Sequence, residues 1–249
     1  MKKLLILPLV LVVALSGCAP SSSGIEAFKD KSAQDIYATG EKAMKSRSYK
    51  VAIQNFEALD ALYPFSAFAE NSQLHLIYAY HGSNDTASAI TAADRYIHLY
   101  PRSERVDYAY YMKGYMRMQQ DKSWVYNTLP MDPSSRDLAS MQEAFQDFST
   151  LIRYFPRSEY ALDARKRMIF IRDLLAKHEL DVAKFYYKHK AYVAAANRAS
   201  DIVQHYQGSS QVRPALQLMA DSYHSMGKTD LEEETLAVLK HNQRRPVKG

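Results

Sequence analysis

The chain has 249 residues, a formal net charge of +5, and one cysteine. That length can bury a sizeable core, and one cysteine excludes an intramolecular disulfide. Two of the basic charges, Lys2 and Lys3, lie in a segment expected to be removed, so the remaining balance is too weak to argue for nucleic acid as a partner.

The first element is a targeting segment. Lys2 and Lys3 precede an apolar run from Leu4 to Leu15, too short to span a bilayer comfortably. Leu15-Ser16-Gly17-Cys18 follows and resembles the bacterial lipobox, in which cleavage leaves an N-terminal cysteine that is diacylated on sulfur and acylated on its amine. Residues 1–17 are thus expected to be a lipoprotein signal peptide and Cys18 the lipid anchor. Several acyl chains hold a protein on a membrane far better than one. Ala19 stands where an aspartate would commonly retain a lipoprotein in the inner membrane. The resemblance therefore implies the outer membrane, facing the periplasm. Residues 18–32 are small and polar and read as a flexible tether.

From residue 33 onward the chain repeats. Tyr100-Pro101-Arg102-Ser103-Glu104 and Phe155-Pro156-Arg157-Ser158-Glu159 are near copies, Tyr63-Pro64-Phe65-Ser66 is a third, and Tyr206-Gln207-Gly208-Ser209 a worn fourth. Each closes one apolar helical run and opens another. The tetratricopeptide pattern is a helix pair of 34 residues, with a small residue at position 8, an aromatic at 11 and 24, alanine at 20 and proline at 32. Small residues are needed where paired helices approach closely. Gly40, Ala52 and Phe56 fall on register in the first unit, and Leu76, Tyr80 and Ala89 mark the second. Ala144 and Phe148 fit the third unit if Gly114 takes position 8, which leaves about 18 inserted residues between its helices. Ala183, Tyr186, Ala195 and Ala199 mark the fourth, and Ala220, Tyr223 and Gly227 the fifth. The expected fold is all-α, a tetratricopeptide-repeat solenoid of about five helix pairs.

Two departures divide the stack. Residues 122–136, with Trp124, Pro130 and Pro133, form an insertion inside the third unit. It reads either as a partner contact or as a local plug built on Trp124. Residues Ser158 to Ala176 are helix-periodic yet surplus to the repeat, and are expected to join the run to His189 in one long or kinked helix. Residues 33–157 then make an N-terminal block of three repeats. Residues 158–243 make a connecting helix with two more. The tail 244–249 is basic, and is either frayed and solvated or a docking tail for an acidic surface.

No metal-ligand spacing, Gly-rich phosphate loop or nucleophile elbow occurs, so no enzyme and no cofactor is expected. The first helix of each pair should line the concave side. Its inward positions include Tyr37 in the first unit, Tyr78 and His81 in the second, and Tyr108, Tyr111 and Tyr115 in the third. Lysine and arginine are almost missing from these positions. Such a groove suits apolar or aromatic side chains of an extended peptide. The alternative is that the tyrosines pack against neighbouring helices, and half of those named are expected to be accessible.

Residues in order carry a closer resemblance. Gln73-Leu74-His75-Leu76-Ile77-Tyr78-Ala79-Tyr80, Tyr111-Met112-Lys113-Gly114 and Val182-Ala183-Lys184-Phe185-Tyr186-Tyr187 resemble the BamD (ComL) family, lipoproteins of the outer-membrane β-barrel assembly machine. The resemblance spans about residues 30 to 240. It implies docking of the C-terminal repeats on the POTRA region of BamA, contact with other lipoproteins of the machine, and reception of unfolded outer-membrane β-barrel proteins by the N-terminal repeats. Asn197-Arg198 matches the family's asparagine-arginine pair, and Arg198 is expected to contribute to the BamA contact. A repeat-protein adaptor for peptidoglycan hydrolases is the competing reading.

Overall fold

The computed structural model describes residues 22–120 and 138–243. Cys18, the insertion 122–136 and the tail 244–249 lie outside the described residues. Among them are eleven helices and no strand: α1 (Ser22–Glu26), α2 (Ala33–Lys45), α3 (Tyr49–Leu62), α4 (Ala69–Gly82), α5 (Thr86–Leu99), α6 (Val106–Gln120), α7 (Ala139–Tyr154), α8 (Ala161–Lys188), α9 (Tyr192–His205), α10 (Val212–Ser225) and α11 (Thr229–Gln243). Part of the stretch expected as a flexible tether is therefore folded. α1 packs on α3, and the Tyr63 hydroxyl donates to the Lys31 carbonyl at 2.8 Å.

From α2 onward each helix packs on the next, with α4 also reaching α6 and α8 reaching α10. Contact confined to near neighbours is the mark of a solenoid, and it arises because each helix pair has two apolar faces to cover. The all-α repeat expectation is met.

Among the described residues two turn types, each used four times, punctuate the helices. Within a pair, the first helix ends in a Schellman motif. The N–H of Ser48, Asp85, Ala191 and Lys228 donates to the carbonyl of Ala43, Tyr80, Tyr186 and Tyr223, at 2.8–3.0 Å. The residue before each donor is left-handed: Arg47 (φ 57°), Asn84 (φ 61°), Lys190 (φ 61°) and Gly227 (φ 66°). Between pairs, Tyr63, Tyr100, Phe155 and Tyr206 accept from the N–H of the serine three residues on, at 3.0–3.1 Å. The carbonyl of that serine then accepts from the residue opening the next helix. Ser103, Ser158 and Ser209 also take an N–H on their hydroxyls.

Close approach inside the pairs explains the register. A Cβ on Gly40 would stand 2.6 Å from the Phe56 ring, and one on Gly114 would stand 2.9 Å from the Phe148 ring. Phe56 and Phe148 are fully buried, each contributing about 1.5–3 kcal/mol by burial. In the second unit the sizes are exchanged, with Ile77 and Ala93 at the equivalent positions, both fully buried. The core runs as three clusters along the stack, the last formed by Ala176, Leu180, Ala199, Ile202 and Ala215.

Ion pairs join the two helices of the third pair. Asp147 of α7 accepts from Arg117 at 2.6 Å and pairs with Lys113 at 3.4 Å, both on α6. Lys113 also meets Asp94 of α5, and Arg117 meets Glu143 at 3.0 Å.

Candidate functional site

α6 places Tyr108, Tyr111 and Tyr115 on one face, because residues three and four apart align along a helix. α4 brings Tyr78 and His81 beside them. The rings form a continuous chain. Tyr49 meets Tyr78 at 6.2 Å, Tyr78 meets His81 at 6.2 Å, and His81 meets Tyr115 edge-on at 5.6 Å. Tyr115 stacks on Tyr111 at 6.1 Å, Tyr111 on Tyr160 at 4.9 Å, and Tyr160 meets Tyr108 at 5.8 Å. Offset and edge-on pairs of this kind add to simple burial.

Tyr37 starts a second group. It stacks on Phe68 at 4.9 Å, and its hydroxyl lies 3.2 Å from His75 Nε2. His75 stacks on the buried Phe56 at 5.2 Å. Burial holds the His75 imidazole below its ordinary pKa, with Arg105 acting in the same direction against Glu41.

Of the six aromatic and histidine side chains expected to line the groove, only Tyr78 is exposed, at 46%. Tyr37, His81, Tyr108, Tyr111 and Tyr115 are half-buried. The face is thus a ridge of mutually packed rings with one free edge. Burial pushes Tyr108 well up, pushes Tyr160 up to about 12, and raises Tyr111, which donates to Asp163 at 2.7 Å.

A cavity of about 410 Å³ opens beside Tyr78. Met44, Leu74, Tyr108 and Tyr160 supply apolar surface, and Glu104, Arg105, Asp107 and Glu159 charge. Two arginines reach this region, against the expectation that cations are nearly missing. Arg105 lines the cavity, and the Arg167 guanidinium lies 4.6 Å over Tyr115 and 5.9 Å from Tyr111 while pairing with Asp163. Both were outside the positions read from the first helices. Arg105 sits in the turn before α6, and Arg167 comes from α8. One signal was available for part of this set. Phe68, Arg105 and Tyr160 are each the fourth residue after a turn proline, and each joins this face.

Arg198 stands elsewhere. It lies on α9, which packs on α8 and α10. Its Nη1 pairs with Glu179 Oε2 of α8 at 3.0 Å, and its side chain is 46% exposed. Asn197 beside it is exposed. Among the described residues no group of three or more His, Cys, Asp or Glu could hold a metal ion, and no helix is long and apolar enough to cross a membrane.

A stack of helix pairs carrying an aromatic face defines a repeat protein built to bind other chains. Residues 29–239 match the family model described as YfiO, outer membrane lipoprotein. The chain is 33% identical over 231 residues to the Vibrio cholerae outer membrane protein assembly factor BamD, covering 93% of this chain and 96% of that one. It is 36% identical over 245 residues to the same-named protein of Neisseria meningitidis serogroup A, covering 97% and 91%, and 34% identical to that of Pasteurella multocida, covering 93% and 88%. The chain belongs to the BamD family. Among solved structures, the MamA protein matches 84% of this chain and 88% of its own at 15% identity and a TM-score of 0.38, too distant a likeness to argue from.

Proposed function

We propose that this chain is a non-enzymatic lipoprotein component of the outer-membrane β-barrel assembly machine. It is anchored through lipid on Cys18 at the periplasmic face of the outer membrane. Its first three repeats receive segments of unfolded outer-membrane β-barrel proteins, and its last two dock on the POTRA region of BamA through a surface that includes Arg198. Other lipoproteins of the machine bind along its length. Relatives named as outer membrane protein assembly factors, matched over nearly their whole length, support the assembly role.

The observation that carries the client reading is the free edge of Tyr78 beside the 410 Å³ cavity. Tyr108, Tyr160, Leu74 and Met44 offer an apolar socket for one aromatic side chain of an extended segment, a recognition mode in which alternate side chains enter pockets. The test is the affinity of a synthetic peptide of alternating apolar residues ending in an aromatic one. Tyr78→Ala should weaken binding about tenfold, the loss typical of an aromatic anchor. Unchanged affinity sinks the client reading. For the machine-facing half, Arg198→Leu should reduce co-purification of BamA, and normal recovery with normal barrel assembly counts against that contact.

A further inference from the structure

α8 has one face in two different states. Leu162, Ile169, Ala176 and Ala183 recur every seven residues and so lie along one stripe. In the C-terminal half the stripe is shut. Ala176 and Ala183 are fully buried, Leu180 next to them is 1% exposed, and Ala176 and Leu180 cluster with Ala199 and Ile202 of α9. In the N-terminal half the same stripe is open. Leu162 is 64% exposed and Ile169 46%, with Phe170 beside it at 54%. The boundary is marked by Arg172, whose Nη2 donates to the Gly208 carbonyl at 2.8 Å, in the turn just after α9 ends. Beyond that turn no second helix of a repeat among the described residues lies on the stripe, because the first half of α8 is the stretch surplus to the repeat.

The exposed charge along this open half is basic. Arg165 and Lys166 are exposed. The acidic Asp163 is engaged by Tyr111 and Arg167, and Asp173 is half-buried beside Arg172. The open stripe spans about 12 Å, two helical turns.

We propose that the open half of α8 is a docking site for an amphipathic helix of another protein, one whose apolar stripe is flanked by Asp or Glu. Shape and charge both support this occupant. The stripe continues the seam that already receives α9, so a helix laid in line with α9 meets Leu162 and Ile169 as α9 meets Ala176. Arg165 borders the stripe, and Lys166 stands on it between Leu162, four residues before, and Phe170, four residues after, so both can meet acidic side chains of the partner. The site uses none of the residues placed in the client groove or on the Arg198 surface.

The test uses the full-length lipidated chain in cells, with a photo-crosslinking residue at Ile169 or Phe170 and the crosslinked positions mapped by mass spectrometry. The expected product joins α8 to one helical, acid-flanked segment of another protein. Combining Arg165→Glu with Lys166→Glu should lower its yield about fivefold, as reversal of rim charges slows encounter, with far-UV circular dichroism unchanged. No crosslink, a crosslink to lipid, to a second copy, to another part of the chain or to a segment without acidic flanks overturns the proposal. So does a yield that charge reversal leaves unchanged.

Discussion

Gly114 and Phe148 touch at a sequence separation of 34, where Gly40 and Phe56 make the same contact at a separation of 16. A Cβ on Gly114 would come within 2.9 Å of the ring, and one on Gly40 within 2.6 Å. The same helix–helix contact is therefore made despite the longer separation, through the fit of a bare backbone against a flat ring.

That contact yields an ordered prediction. Overpacking a core costs about 1–3 kcal/mol, and Gly to Ala in a helix returns about 1 kcal/mol. Gly40→Ala should lose more stability than Gly114→Ala. Gly82→Ala should be mildest although its Cβ would meet the Tyr49 ring at 2.5 Å, since Tyr49 is only partly buried and can move. Thermal unfolding checks the order, at about 2–4 °C per kcal/mol for a chain of this size.

Tyr78 and Tyr111 should separate binding from folding. Tyr78→Ala removes a 46% exposed ring and should leave the melting temperature within about 2 °C. Tyr111→Ala removes contacts with Phe148 at 6.0 Å and Tyr160 at 4.9 Å and strips Asp163 of a donor, so it should cost about 2–4 kcal/mol. Calorimetry of the two variants beside peptide titrations distinguishes a lost anchor from a loosened face.

Asp147 should be the most sensitive carboxylate. It is buried between Lys113 and Arg117, and burial raises its pKa despite both cations. Asp147→Ala leaves Lys113 with Asp94 and Arg117 with Glu143, so the loss should fall near 3 kcal/mol, the low end for breaking a buried pair. Asp147→Asn keeps an acceptor and should lose about half as much. Denaturant titration measures both.

Glu70 should set part of the acid sensitivity. Its carboxylate accepts from Ser103 at 2.7 Å and Tyr96 at 2.9 Å, with Arg105 at 3.4 Å, and the Ser103 hydrogen bond leads in holding its pKa below the ordinary 4.5. A depressed carboxyl pKa means that the unfolded chain takes up the proton first on acidification. The contact is therefore at full strength above about pH 5 and is lost as the pH falls through 4.5 and below. Glu70→Gln should lower stability by about 1 kcal/mol at pH 7, after allowing for solvent screening, and flatten the stability profile between about pH 5 and 3. Unfolding measured across that range tests the sign.

The sequence by itself determined the helix pairs and their register. Apolar periodicity, the repeated turn proline and the small residues at Gly40, Gly114, Ala183 and Ala220 are local signals, each set by helix geometry within one unit. The turns inside the pairs were legible only at Gly227, since Arg47, Asn84 and Lys190 take the same left-handed conformation without a glycine to announce it. The tertiary structure decided which side chains of the aromatic face are free. Tyr111 meets Asp163 and Tyr160 from the stretch that joins the two repeat blocks, Arg105 and Arg167 arrive from a turn and from α8, and Tyr78 alone keeps an open edge. Those outcomes depend on which helix crosses which at separations of about fifty residues, and periodicity within one helix carries no information about its neighbour. The same holds for α8. Its seven-residue stripe passes from Leu162 and Ile169 to Ala176 and Ala183, and the end of α9 divides it into an open half and a sealed one.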